Sequence, residues 1–280
     1  MIGLHIDTGH GFRAAVDTVR DLGAEAVQIF TCNPSSWRSR SVDAGPARAF
    51  TDALRAAGVG CVVSHANYLI NLAGPDPVMY AKSKSALADE LRRGVAYGLD
   101  NVIVHIGSHR GSGLEVGLDR ITEAVEEALA AVPAQGSPRL LLENSAGTGD
   151  NVGGRVEELG ELMRRLSPHI DRVGLCLDTC HASASGYDLT GPQEAFEFLE
   201  ELDAAAGLGN VRVVHANDTQ VPVGGRADRH WHIGEGVIGL ETFGFLLHEP
   251  RLKDLPFILE TPGNESVEGR RNLETLRSLL

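Results

Sequence analysis

Asp178 and His181 stand where the apolar run Val173-Gly174-Leu175-Cys176-Leu177 stops. An oxygen donor and a nitrogen donor, three residues apart at the mouth of a buried strand, can share a divalent cation. Alone, the pair reads as a helix N-cap followed by a surface histidine. The pattern recurs, however. His65 ends an apolar run in SHANYLINLA, His105 in VIVHIGSH, Glu143 in LLLENSAGTGDNVGG, His215 in VVHAND and Glu260 in FILETP, while Asp228 and His230 lie in GGRADRHWHIGEG. Five imidazoles and four carboxylates converging without counter-ions would each cost several kcal/mol, a penalty that divalent cations remove. The set holds no thiolate, which suits Zn, Mn or Fe, with Zn favoured by the number of imidazoles. Nine donors are too many for one ion. With a bridging carboxylate they are about right for three.

Such a set needs elements that bring it to one place. Apolar runs at Ile2–Ile6, Ala26–Thr31, Cys61–His65, Asn101–Gly107, Arg139–Asn144, Val173–Asp178, Val211–Asn217 and Pro256–Thr261 read as eight strands. Helix-like segments alternate with them: Gly11–Leu22, Pro46–Ala57, Pro77–Tyr97, Leu114–Ala131, Arg155–Leu166, Pro192–Ala205, Leu240–Leu247 and Val267–Leu280. Eight strand–helix pairs predict an α/β fold, a TIM (β/α)8 barrel in one domain over residues 1–280, with its active site at the strand C-termini. A doubly wound open sheet is the alternative, but no GxGxxG follows the first strand.

The chain has 280 residues, is 42% hydrophobic and carries a net charge of −13, which argues against a simple basic DNA-coating protein. Bound cations would reverse the sign locally, so phosphate affinity would be concentrated at the site. No run of 18 apolar residues occurs, so no membrane association is expected. The start MIGLHIDTGHG lacks a signal peptide's regions, and Cys32, Cys61, Cys176 and Cys180 show no disulfide spacing. A reducing cytoplasm is the expected home, with Cys176 and Cys180 as buried thiols.

Other residues have two readings each. His5, His10, His109 and His232 either orient ligands or are structural, with His10 and His232 leaning to structural; His169 and His248 fall on the helix side. Gly147, Gly149, Gly153 and Gly154 lack the Lys and Ser/Thr of a P-loop and read as a tight loop. Tyr68 is either buried in its loop or stacks on a nucleobase or sugar.

Taken together, SHANYLINLA, VHIGSH, LENSAGTGDNVGG, VGLCLDTCHASASGYDL, HANDTQ, GGRADRHWHIGEG and ILETP resemble, in order and spacing, the signatures of the endonuclease IV family over essentially the whole chain. The resemblance implies a TIM barrel with three zinc ions. It implies one held by His65, His105 and bridging Glu143, a second by Glu143, Asp178, His215 and Glu260, and a third by His181, Asp228 and His230. Glu143 and Glu260 are the expected catalytic carboxylates. The implied substrate is double-stranded DNA, cut 5′ to an abasic site to leave a 3′-hydroxyl and a 5′-deoxyribose phosphate; blocked 3′ ends would be cleaned too. DNA contacts are expected at Tyr68, Asn67, Ser35 and Arg229, and no obligatory protein partner is evident. Two segments depart from the family pattern: Pro34-Ser35-Ser36 stand where a basic or long polar wedge is common, and Gln220 where lysine is common.

A metal-dependent sugar isomerase or epimerase of the xylose-isomerase-like barrels is the second reading; such enzymes need fewer ions than the DRHWH donors supply. A DNA-damage binding module without catalysis is a third, and it would predict a missing ligand, which is not seen.

Overall fold

Strictly alternating side chains and short apolar runs dictate a sheet whose strands are covered on both faces. The computed structural model describes residues 1–38 and 42–280 and shows that sheet closed on itself. Strands β1 (Ile2–His5), β2 (Ala26–Ile29), β3 (Cys61–His65), β4 (Asn101–His105), β5 (Arg139–Glu143), β6 (Val173–Asp178), β7 (Val211–His215) and β10 (Phe257–Leu259) form a parallel barrel in the order β1-β10-β7-β6-β5-β4-β3-β2. Strands β8 (Asp218–Thr219) and β9 (His230–Trp231) form a separate antiparallel pair.

Helices cover the outside: α1 (Phe12–Leu22), α2 (Ala44–Ala56), α3 (Pro77–Tyr97), α4 (Leu114–Ala130), α5 (Val156–Arg165), α6 (Thr179–Ser185), α7 (Pro192–Ala206), α8 (Gly239–His248) and α9 (Val267–Arg277). In α4 the apolar stripe Ile121, Val125, Ala128 and Leu129 is buried against the sheet, as its spacing predicts. The α3 start is set by Asp76, which accepts from Val78 N and Met79 N, with Pro77 in the first turn. No described helix is long and apolar enough to cross a membrane. All four cysteines are free; Cys61, Cys176 and Cys180 are buried and Cys32 is half-buried.

The strands stop earlier than their apolar runs suggest. β4 ends at His105 rather than Gly107, β7 at His215 rather than Asn217, and β10 is Phe257–Leu259 rather than Pro256–Thr261. Ladder pairing lapses where the chain turns into the loops, although Ile106 and Ala216 remain buried. The pair β8–β9 and helix α6 are not among the sequence-predicted elements. Two-residue strands carry too little periodicity to show, and α6 is only seven residues of mostly small side chains.

Two cores result. One lies between sheet and helices. The other plugs the barrel: Ala26, Cys61, Val63, Ile103, Leu141, Cys176, Val213 and Ile258. The plug positions the site. A strand's side chains repeat every two residues, so the residue two beyond the outermost plug member of each strand (Val63, not Cys61, on β3) also points inward, one layer nearer the C-terminal mouth. Those residues are Gln28, His65, His105, Glu143, Asp178, His215 and Glu260.

Candidate metal centre

Strand register sets the neighbours in this layer. His105 lies opposite Glu143, Asp178 opposite His215, and His5 opposite Gln28. Glu143 is at the middle. Its Oε2 is 3.1 Å from His65 Nε2 and 3.0 Å from His105 Nε2. Its Oε1 is 3.0 Å from His215 Nδ1 and 3.5 Å from His181 Nδ1. His215 Nδ1 also lies 3.1 Å from Glu260 Oε2 and 3.7 Å from Asp178 Oδ2. Above these, His181 Nε2 is 3.3 Å from Asp228 Oδ2, and His230 Nε2 is 3.2 Å from Asp228 Oδ1 and 3.5 Å from Asp178 Oδ2.

All nine sequence-predicted donors are therefore brought together. Among the described residues, donor atoms within 4.8 Å of one another form the groups His65/His105/Glu143, Glu143/Asp178/His215/Glu260, Asp178/His181/His230 and Cys180/Asp228/His230. Asp178 thus stands between the second group and the upper histidines. Asp228 touches both of those histidines from a half-exposed loop.

The donor set fits divalent cations. The Nε2 atoms of His181 and His230 are buried and have no hydrogen-bond partner, although carboxylate oxygens lie 3.2–3.5 Å away. Those nitrogens and oxygens aim at shared points rather than at each other. Ligands at 2.0–2.1 Å from a tetrahedral zinc stand about 3.3 Å apart, the spacing found throughout the cluster.

Electrostatics point the same way. Burial works against charge on His181 and His215, yet Asp178 and Asp228 beside His181, and the Cys176 sulfur with Glu260 and Glu143 beside His215, hold both well above the usual imidazole range. His230 is pushed up to about 9, against its own desolvation, chiefly by Asp178 and Asp228. Burial opposes ionisation of Glu143 too, but His105 and His215 hold it well below the usual carboxylate range, and Glu260 is held down to about 2, chiefly by His215 and His230. The carboxylates need positive charge, and within the cluster only imidazoles supply it.

Each of four histidines donates from its other nitrogen to a fixed oxygen, which orients the ring. His65 Nδ1 donates to Ala66 O (2.8 Å), His181 Nδ1 to Asn144 O (2.9 Å), His215 Nε2 to Gln28 Oε1 (2.8 Å) and His230 Nδ1 to Glu260 O (3.2 Å). Asn217 Nδ2 donates to Asp178 Oδ2 (2.7 Å) while its Oδ1 accepts from Glu260 N (2.8 Å). Asn144 Oδ1 accepts from Asp178 N (2.6 Å). Asp178 also caps α6, accepting from His181 N at 2.8 Å, so the cap reading and the cluster reading both hold. Gln28, Asn144 and Asn217 escaped the sequence reading. The signal for Gln28 was its place two residues beyond Ala26; the asparagines directly follow Glu143 and lie two beyond His215.

The remaining histidines separate. Desolvation holds His5 low, near 4, and its Nδ1 lies 3.1 Å from Gln28 Nε2, so it braces that amide. His10 is exposed, and His232 Nδ1 packs on Asn272 Nδ2 at 3.0 Å.

The predicted DNA contacts lie around the cluster's mouth. Tyr68 is 51% exposed, its ring beside those of Phe30, His65 and His105. Arg229 is exposed and lines a cleft of about 590 Å³ with Tyr68, His230 and Glu260. Ser35 is exposed on a turn tied to the Tyr68 loop, whose Tyr68 N donates to Pro34 O at 3.0 Å. Asn67 differs: it is buried, donates to Ser36 O and accepts from Leu69 N at 2.7 Å, so its amide is occupied bracing the two loops.

Comparison with known proteins gives the following. A family model described as a xylose isomerase-like TIM barrel matches residues 16–279. The probable endonuclease 4 of Solibacter usitatus is 41% identical over 279 residues, covering 99% of this chain and 96% of that protein. That of Methanoculleus marisnigri is 40% identical over 279 residues, covering 100% and 98%. The crystal structure of endonuclease IV from Thermus thermophilus matches with a TM-score of 0.85 at 38% identity, covering 99% of this chain and 98% of that one. D-psicose 3-epimerase from Clostridium cellulolyticum, at 15% identity and a TM-score of 0.67 over 98% and 89%, shares the fold.

Proposed function

The chain belongs to the endonuclease IV family, and on that premise we propose that it hydrolyses the DNA phosphodiester on the 5′ side of abasic sites. The products are a 3′-hydroxyl and a 5′-deoxyribose phosphate, and blocked 3′ ends are cleaned by the same chemistry. The observation that carries this reading is the convergence of nine imidazole and carboxylate donors on one mouth, with Glu143 reaching two groups at once.

Three divalent cations, zinc foremost, would be held by His65, His105 and Glu143, by Glu143, Asp178, His215 and Glu260, and by His181, Asp228 and His230. When bound they would activate water and neutralise charge on the phosphoryl and leaving oxygens. The chain's own residues divide the remaining work. Glu143 is fully buried, with imidazoles on both oxygens, so it orients the cluster and cannot meet bulk water. Glu260 keeps 14% of its side chain exposed and lines the cleft, so it can orient the attacking water. Tyr68 offers a ring face at the mouth, suited to a base or sugar turned out of the helix. An abasic residue has lost its base's stacking and pairing, so turning it out costs less than for a normal nucleotide. Four free thiols fit a cytoplasmic setting.

The test is a duplex with one abasic site, incubated with metal-replete protein and resolved on a denaturing gel. Incision 5′ to the lesion that leaves a primer-competent 3′-hydroxyl, lost on prolonged chelation and in Glu260→Gln that retains its metals, is expected. No incision by metal-replete protein would reject the reading and turn attention to sugar substrates.

A further inference from the structure

The chain carries 38 acidic and 25 basic side chains, and many of its exposed arginines pair with carboxylates, as Arg164 does with Glu161, Arg251 with Glu200 and Arg271 with Glu235. Arg110 and Arg226 do not. Both are exposed, and among the described residues neither guanidinium makes a hydrogen bond or ion pair. Each is held through its main chain instead. Arg110 N donates to Ser108 Oγ at 3.4 Å; Arg226 N donates to Ala184 O at 2.8 Å, and Arg226 O accepts from Thr148 Oγ1 at 2.7 Å.

The same two residues are, among the described residues, the non-glycine positions with left-handed backbone, at φ 44° and 51°. Every other position with positive φ is glycine, including the neighbours Gly107, Gly111 and Gly113 in one loop and Gly224 in the other. Glycine would hold these turns without strain, so what arginine adds is its side chain.

The place is specific too. Arg110 lines a cavity of about 370 Å³ with Ser108, Thr148 and Asn151, and His181 and Asp228 form its inner end. The Arg110 loop is tied to the next turn by the Ser108–Asn151 bridge and by His109 N donating to Asp150 O at 3.1 Å. Arg226 is tied to that turn through Thr148. Two arginines whose guanidiniums are unpaired among the described residues thus stand on loops tied to one turn, and Arg110 lines the cavity beside hydroxyl and amide donors that reaches the cluster. Asp150 and Asp228 are the carboxylates nearby, the latter directed at histidines. Planar guanidinium forks match a phosphodiester's oxygens.

We propose that Arg110 and Arg226 form a phosphate clamp that grips an unreacting backbone phosphate of the DNA strand entering the site. The proposal rests on the nuclease reading above. It makes the chain's departure at Pro34-Ser35-Ser36 intelligible, since backbone grip would come from the opposite side of the mouth.

The test measures binding of metal-replete protein to an undamaged fluorescent duplex by anisotropy over a KCl series, in wild type, Arg110→Gly, Arg226→Gly and the double variant. Glycine suits both turns, so melting temperatures should hold or rise. The slope of log K against log[KCl] should fall by about 0.9 for each arginine removed and about 1.8 for both. Affinity should weaken roughly tenfold per arginine, the loss of a charged hydrogen bond. Arg110→Lys should keep the slope. An unchanged slope in both glycine variants would overturn the clamp, as would a fall in melting temperature with the slope intact, because the side chains would then be structural. Abasic-site incision by wild type is assayed in parallel. Incision with unchanged slopes removes the clamp alone; reduced slopes without incision remove the nuclease reading and leave phosphate binding standing.

Discussion

His215 Nε2 donates to Gln28 Oε1 at 2.8 Å, across 187 residues of chain. Gln28 Nε2 in turn donates to Glu260 Oε1 at 2.6 Å, which fixes which way the amide faces. Nε2 of His215 therefore keeps its proton in either charge state, and Nδ1, which faces Glu143 and Glu260, is the nitrogen that would be left to a cation. Gln28→Leu frees the ring to flip or take the other tautomer. We expect metal affinity or incision to fall about 10–100-fold, as for other orienting partners. Competition with a chelator of known affinity measures it; unchanged affinity would show that Gln28 does not set the ring.

Asp218 is fully buried and has no cationic partner among the described residues. Its Oδ1 accepts from Thr219 N and Ile238 N, and its Oδ2 from Gly234 N, Gly236 N and Gly239 N, at 2.8–3.3 Å. A Cβ on residue 236 would lie 2.2 Å from Asp218 Oδ1, so glycine is required there. Asp218→Asn turns one acceptor edge towards N–H groups. It should lose about 1–3 kcal/mol for each buried N–H left unpaired. Because Thr219 pairs with His230 across β8–β9, it should also lower the ion count of the purified protein. Urea unfolding and elemental analysis read the two effects.

Protein stripped of metal should lose stability as pH rises above 6. Burial pulls His181, His215 and His230 down, but facing carboxylates, together with the Cys176 sulfur at His215, outweigh it and raise all three, His230 to about 9. Their contribution is complete below the unfolded value near 6.5 and disappears as pH climbs through the raised values, with a slope of about 1.4 kcal/mol per pH unit for each proton retained. Glu260, held down to about 2, contributes above its unfolded value near 4.5 and loses that contribution as pH falls through about 2. Metal binding must displace the imidazole protons, so metal affinity should rise over the same alkaline range. Thermal melts of chelated protein from pH 5 to 9 test this; flat or rising stability would contradict it.

Glu90 of α3 is buried and accepts from the hydroxyls of Thr31 and Ser64 and from Arg93 Nε and Nη2, at 2.7–3.2 Å. It ties the loop after β2 to the end of β3, next to His65. Arg93→Ala leaves that carboxylate buried without its cation and should destabilise by about 3–5 kcal/mol. Replacing both with Met and Leu should recover much of the loss, as read by denaturant titration.

The barrel and the convergence of its donors were legible because both rest on period two: an inward plug residue is followed, two positions on, by an inward residue at the mouth. Charged and imidazole side chains at those positions are conspicuous in a sequence. Gln28 follows the same rule but is inconspicuous, because a neutral amide inside an apolar run carries no charge or imidazole to mark it. Asn144 and Asn217 act through single hydrogen bonds to residues distant in sequence, which no local pattern encodes. The Asp218 cage was hidden for the opposite reason: its donors are main-chain N–H groups, and only the glycine spacing of HIGEGVIG hinted at it. Asn67 shows the limit of motif reading, since its neighbour Tyr68 faces the mouth while its own amide is turned to the protein.

The connection between β7 and α8, which carries β8, β9, Asp228 and His230, adds no strand to the closed sheet. The other seven donors sit on barrel strand ends or on α6. The outermost part of the site is therefore an appendage, shaped by the internal Asp218 carboxylate and tied to the barrel through loop contacts, not through the sheet's ladder. Descent with modification could lengthen, trim or replace that appendage in one step, leaving a sound barrel and a smaller cluster behind. The scaffold's stability and the reach of its chemistry are in this sense inherited separately.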